Sequence, residues 1–250
     1  MMFIKPVDPI KRKAKVLYLM GATWHNKSMF DLDSEQPSLA SILQANNIET
    51  YTFDIFGSGP GPKDYYIGDQ HQANVDYSIE LIEQYNIDYI FAYSYGGIIA
   101  TDVALRTNIK GIIMLDPFAN INIPFGETPD GDKYIVEPSV VAQALVDFNT
   151  KIDSNIVQSH LNSLSNTDTL ITATYPKIVS RQRFKTFFNR DNFLGILDKC
   201  RVQVILTKDR PVRFEQLSIP NLVIRNNNAS HWIMLEDGRF WLAETISHFV

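Results

Sequence analysis

The sequence predicts an α/β fold, a mostly parallel central sheet with helices on both faces, from two features. Short apolar runs bounded by turn residues alternate with stretches whose apolar residues recur at helical spacing, and this rhythm fills residues 1–117 and returns after 193. One of the runs leads directly into a serine followed by two glycines, a strand-to-helix turn of the kind parallel sheets use at their carboxyl edge. With 250 residues, 45% of them hydrophobic, the chain can bury one sizeable core, so a single α/β unit is expected.

In chain order, Val16–Met20 reads as a buried strand ending at Gly21-Ala22-Thr23-Trp24-His25. Pro37–Asn46 has a helix pattern and Thr50–Phe56 a strand pattern. From Gln72 to Tyr85, Val75, Ile79 and Ile82 fall at i, i+4 and i+7, the stripe of a helix lying on a sheet. Ile87–Tyr93 and Gly111–Leu115 are the next strands. The glycines Gly57, Gly59 and Gly61 suggest a phosphate cradle, but Pro60 and Pro62 remove N–H donors that a cradle would use, so the stretch reads as a loop.

After Asp116-Pro117 the rhythm breaks. Phe118 to about Asn192 reads as loop and helix without a sheet strand: Val141, Leu145, Phe148 and Ile152 form one stripe, and Tyr175–Asn189 suggests a further helix. The sheet rhythm thus occupies residues 1–117 and 193–250 and leaves 118–192 outside it. Within 118–192, Lys177, Arg181 and Lys185 lie at i, i+4 and i+8, with Arg183 and Arg190 nearby. A solvated helix face is the favoured reading, and a seat for a substrate carboxylate or a coenzyme A phosphate the sharper one. The sheet resumes with Val202–Leu206 and Asn221–Ile224.

Charge and cysteine usage exclude several classes. A formal net charge of −5 offers no field for nucleic acid or an anionic membrane. Cys200 is the single cysteine, which excludes an intramolecular disulfide and a cysteine-rich zinc site. The histidines His71, His160 and His248 have no metal-ligand spacing, so packing or surface roles are expected and no metal or organic cofactor is called for. KRKAK reads as a solvated lead-in to a strand. The apolar run behind it is too short for a signal peptide or a membrane span, so a cytoplasmic location is expected.

The chemistry centres on Ile87–Leu105, IDYIFAYSYGGIIATDVAL. A serine pointing outward from a tight strand-to-helix bend sits in strained backbone, and the residues two before and two after it face each other across the bend. Both must be small, and around Ser94 they are Ala92 and Gly96. The Gly21–His25 loop, at the carboxyl end of a neighbouring strand, would lie beside this turn.

These residues resemble the nucleophile elbow of α/β-hydrolases, and YSYGGIIATDVAL is especially similar to that of the thioesterase branch. Ala229-Ser230-His231-Trp232, after a strand and before a closing helix, resembles the family's base loop, and the two motifs arrive in the family's order. The resemblance covers most of the chain, although of the two leading antiparallel strands only Met2–Lys5 is available. It implies an α/β-hydrolase fold with its core at 1–117 and 193–250 and a helical cap or lid inserted at 118–192, with Ser94 as nucleophile and His231 as base. The oxyanion hole would comprise the N–H groups of Tyr95 and of Ala22 or Thr23. Asp209, after the strand where most members place the acid, is the favoured third member; Asp116, where the thioesterase branch places it, is the alternative. Trp24 and Trp232 are the expected substrate contacts. The implied activity is hydrolysis of a small-molecule ester or thioester, with an acyl-CoA or acyl-carrier partner possible. An acyltransferase, or a binding protein that keeps the fold without the chemistry, are the alternatives.

Overall fold

A computed structural model of the chain describes residues 2–21, 30–31, 35–55, 70–117, 126–127, 134–136, 171–173, 190–208, 220–230 and 232–250. In chain order the elements are β1 (Met2–Lys5), β2 (Ala14–Leu19), α1 (Leu39–Ala45), β3 (Ile48–Phe53), α2 (Gln70–Tyr85), β4 (Tyr89–Tyr93), α3 (Gly96–Arg106) and β5 (Gly111–Leu115). After three short strands, β6 (Gly126–Glu127), β7 (Tyr134–Val136) and β8 (Ile171–Ala173), come α4 (Arg190–Leu197), β9 (Arg201–Leu206), β10 (Leu222–Asn226) and α5 (Gly238–Phe249).

The main sheet has seven strands in the order β1-β3-β2-β4-β5-β9-β10. Only β1 is antiparallel, pairing Met2 with Phe53 and Lys5 with Thr50 on β3; the other six strands run parallel. Every residue of β4 and β5 is buried, which is why these strands are unbroken apolar runs instead of alternating ones: a parallel strand covered by helices on both faces has no wet side. The single leading strand expected from the sequence is present at Met2–Lys5.

The strand order reverses between β2 and β4, since β2 is followed by β3 on one side and β4 lies on the other. In open parallel sheets the crevice at such a switch point, outside the carboxyl ends of the strands, is where ligands bind. The register Leu19↔Ala92 puts Gly21, after β2, and Ser94, after β4, at that crevice.

Between β5 and α4 the chain departs from the expected loop and helix in one respect. Within 118–192, read as loop and helix, the described residues contain a three-stranded antiparallel sheet, β6-β7-β8, with Tyr134 opposite Ala173. Strands of two or three residues are too short to show a period of two, and β8 lies about forty residues from its partner β7 in sequence. The stripe Val141–Ile152, the helix expected at Tyr175–Asn189 and the basic residues Lys177, Arg181, Arg183 and Lys185 lie outside the described residues. Among the described residues no helix is long and apolar enough to cross a membrane.

The KRKAK segment is less solvated than its charge suggests. The Arg12 guanidinium pairs with Glu49 of β3 at 3.1 Å, and Lys15 donates to the Tyr85 carbonyl at 2.5 Å. Glu49 is buried and also accepts from the Val7 N–H at 3.3 Å and from the Tyr51 hydroxyl. Burial alone would raise its carboxyl pKa; the Tyr51 hydroxyl, the Val7 N–H and the Arg12 guanidinium outweigh that and hold it below the ordinary range. A depressed carboxylate stabilises the fold above its unfolded pKa, and the contribution is lost as pH falls through the folded value. Glu49→Gln should therefore cost about 1–3 kcal/mol at pH 7 in chemical denaturation. That gap should narrow on acidification; a gap independent of pH would contradict the ion-pair account.

Candidate active site

The turn after β4 is built by backbone crowding. Ser94 has φ 52, in the left-handed region that non-glycine residues rarely adopt, and a residue held there stores roughly 1–3 kcal/mol of strain. Its neighbours hold it in place. The Ser94 N–H donates to the Leu115 carbonyl at 2.9 Å, and the next turn closes through Gly97 N–H to the Ser94 carbonyl (2.9 Å) and Ile98 N–H to the Tyr95 carbonyl (3.0 Å). Tyr95, with φ −56 and ψ −32, already has helical geometry at the head of α3.

Gly96 explains why a helix can begin so close to the sheet. A Cβ there would lie 2.1 Å from the Leu19 carbonyl oxygen and 2.8 Å from that of Met20, and neither backbone atom can move aside. A Cβ on Gly97 would meet the Pro117 side chain at 2.5 Å, and one on Gly21 would meet the Tyr93 ring at 3.0 Å and Ser94 Cβ at 3.2 Å. The ends of β2, β4 and β5 thus converge on Ser94.

Asp116, the alternative acid, ends β5 with φ 43 and is only 1% exposed. Its N–H donates to the Ile205 carbonyl at 2.9 Å. Its Oδ1 accepts from the Thr207 N–H at 2.9 Å and its Oδ2 from the Thr207 hydroxyl at 2.6 Å. Both oxygens are thus engaged in fastening the end of β5 to the chain leaving β9.

Ser230 and Trp232, which flank position 231, are hydrogen-bonded to their surroundings. The Ser230 hydroxyl donates to Glu236 Oε1, the Ser230 N–H donates to Glu236 Oε2 at 3.3 Å, and the Trp232 N–H donates to the Ser230 hydroxyl at 3.1 Å. Ahead of it, Asn227 accepts the Ala229 N–H on its side-chain oxygen at 2.7 Å, a local turn of the kind asparagine favours. The Lys208 N–H donates to the Ala229 carbonyl at 3.1 Å, so the segments leaving β9 and β10 run alongside each other. Ser230 belongs to the sequence motif around His231, whereas its partner Glu236, six residues on, has no local pattern that marks it.

Trp232, expected to contact substrate, is fully buried and belongs to the hydrophobic core. Ala22, Thr23, Trp24, His25, Asp209 and His231 lie outside the described residues. Among the described residues no group of three or more His, Cys, Asp or Glu could hold a metal ion.

His71 was given a packing or surface role, and its actual position is more specific. Its Nδ1 is 3.2 Å from the Tyr95 hydroxyl and its Nε2 is 2.7 Å from Asp102 Oδ2. No sequence signal pairs residue 71 with 95 and 102, because the contact exists only once α2 packs on α3. His248, by contrast, is a helix-end residue whose Nδ1 donates to the Glu244 carbonyl at 2.8 Å.

A strained serine on a strand-to-helix turn, at the switch point of a parallel sheet, defines a class of hydrolase folds. The family comparison agrees: the sequence matches the alpha/beta hydrolase family over residues 19–245, and the chain belongs to that family. No curated protein matches it. Among solved structures it is similar to a carboxylesterase of the ammonia-oxidizing Thaumarchaeon Nitrososphaera gargenis, at 15% identity and TM-score 0.65, covering 99% of this chain and 93% of that one. It is also similar to a lipase-esterase related protein from Clostridium acetobutylicum (16%, TM-score 0.59, 100% of each chain). A third is the Paleococcus ferrophilus monoacylglycerol lipase (15%, TM-score 0.59, 100% of this chain and 97% of that one). At these identities the likeness is one of fold.

The crowding at the turn makes a direct prediction. Gly96→Ala should destabilise the protein by 3 kcal/mol or more, at or beyond the roughly 1–3 kcal/mol usual for overpacking, because the obstructing atoms are backbone. Thermal unfolding reads this, and a wild-type Tm for the variant would refute the close approach of α3 to β2.

Proposed function

We propose that the chain is a serine hydrolase that cleaves a carboxylic ester or thioester through an acyl-enzyme on Ser94. The observation that carries the reading is Ser94 itself, held at φ 52 between β4 and α3 at the switch point of the sheet. A neutral serine hydroxyl is a poor nucleophile, so a base must take its proton as the oxygen attacks the acyl carbon. His231 fills that role in this reading, and the pinning of Ser230 and Trp232 on either side of it is what a base loop of fixed geometry requires. The developing oxyanion is stabilised by the N–H of Tyr95, at the positive end of α3, together with that of Ala22 or Thr23. The imidazolium then gives its proton to the leaving alcohol or thiol. Water, deprotonated by the same imidazole, attacks the acyl-serine and releases the acid.

For the third member, we favour Asp209. Asp209 follows β9, the strand after which most of the family places its acid, whereas Asp116 ends β5 and receives two hydrogen bonds from Thr207 that fasten β5 to the chain leaving β9. The Lys208–Ala229 hydrogen bond, one residue before Asp209 and two before His231, supports the pairing of those two. Residues 118–192 complete the reading as a cap inserted after β5, carrying the small β6-β7-β8 sheet.

Labelling with a fluorophosphonate tests the nucleophile. Burial pushes the Cys200 thiol up to about 11, against the smaller opposing influence of Lys199, so the single cysteine stays protonated and does not compete for the probe. The wild type should label stoichiometrically and Ser94→Ala not at all, and a folded wild type that fails to label would overturn the assignment. Asp209→Asn should lower kcat roughly 10⁴-fold on a p-nitrophenyl ester, the scale of tautomer loss in a triad. Asp116→Asn should chiefly lower Tm, with kcat within about tenfold of wild type; the reverse ranking would make Asp116 the acid.

A further inference from the structure

Behind the proposed nucleophile, three side chains from two helices form a chain of hydrogen bonds. Tyr95 immediately follows Ser94 and heads α3. Asp102 lies seven residues on, two turns along the same helix and on the same face. His71, on α2, bridges them, with Nδ1 3.2 Å from the Tyr95 hydroxyl and Nε2 2.7 Å from Asp102 Oδ2. Tyr95 is 5% exposed and the His71 side chain 12%, while the Asp102 carboxylate reaches the surface at 36%. Asp102 can only accept from Nε2, and we assign the tautomer in which Nδ1 accepts from the Tyr95 O–H, which satisfies both contacts.

We infer that His71 and Asp102 are positioning residues that, through the Tyr95 phenol, fix the direction of the Tyr95 backbone N–H offered to the oxyanion. The inference rests on the serine hydrolase reading above. Its physical basis is the strain at Ser94. Relaxation of its positive φ would turn the Ser94–Tyr95 peptide plane, and the N–H of Tyr95 lies in that plane. On the far side Gly96 has no side chain to resist the turn. The Tyr95 ring does, because it is buried and held at its tip by an imidazole that is itself anchored two turns further along the same helix.

The experiment compares Tyr95→Phe, His71→Ala, Asp102→Asn, His71→Asn and the double variant Tyr95→Phe/His71→Ala in the full chain. Steady-state hydrolysis of a p-nitrophenyl ester, the rate of fluorophosphonate labelling and Tm are read for each. Tyr95→Phe and His71→Ala should each lower kcat and the labelling rate about tenfold, less than the 10²–10³ of losing an oxyanion donor outright, with KM within twofold. The double variant should be no slower than either single one. His71→Asn, whose side-chain oxygen can still accept from Tyr95, should recover most of the loss, and Asp102→Asn should fall between it and wild type. Lowered Tm with unchanged kcat and labelling would reduce the chain to a helix clamp and overturn the inference, as would additive losses in the double variant or an effect confined to KM. These outcomes all presuppose a wild type that labels at Ser94; one that does not would overturn the underlying reading instead.

Discussion

The site depends on one contact of backbone with backbone, the first turn of α3 against the carbonyls of Leu19 and Met20. A helix normally stands off a sheet by the length of its side chains. Here Gly96 removes that distance, so the peptide heading α3 comes to the carboxyl edge of β2 and β4, where the strand order reverses. The strain at Ser94 is a consequence: the chain must leave β4 and enter a helix within two residues, and the only path available places a serine at φ 52. The strained residue persists because the sheet around it over-determines its position, through the Leu115 carbonyl on one side and Gly21 on the other.

Around this centre the structure uses polar ties where strands end. Asp116 fastens β5 to Thr207 after β9, Lys208 joins that segment to Ala229 after β10, and Ser230 with Glu236 closes the next turn. The first and last of these satisfy groups that leave the sheet ladder while still buried, where an unpaired donor or acceptor would cost about 1–3 kcal/mol. Together the three ties link the carboxyl ends of β5, β9 and β10 to one another and to the turn before α5.

Much of this was legible in the residues. Runs such as YIFAY and GIIML identify themselves as doubly covered parallel strands because they contain no polar alternation. Ala92 and Gly96 betray the bend around Ser94, because steric crowding there acts over four residues of sequence. What stayed hidden depends on separations the sequence does not encode. The β6-β7-β8 sheet is built from strands too short to carry a pattern, and β8 pairs with β7 across tens of residues. His71 looked like a scattered histidine until α2 packed on α3 and brought it to Tyr95 and Asp102. Trp232, an expected substrate contact, is a core residue instead, and a lone tryptophan ahead of an apolar Ile-Met-Leu run carries no pattern that separates the two roles.

The central claim is that Ser94 carries the acyl group during turnover. The most direct measurement is to mix the protein with p-nitrophenyl acetate, quench in acid within the first turnovers, and map the acetylated peptide by mass spectrometry. The account predicts an acetyl group on Ser94, formed with a burst of p-nitrophenol equal to the enzyme concentration when deacylation is slow. Hydrolysis proceeding with the acetyl group on another residue, or undiminished in Ser94→Ala, would contradict it.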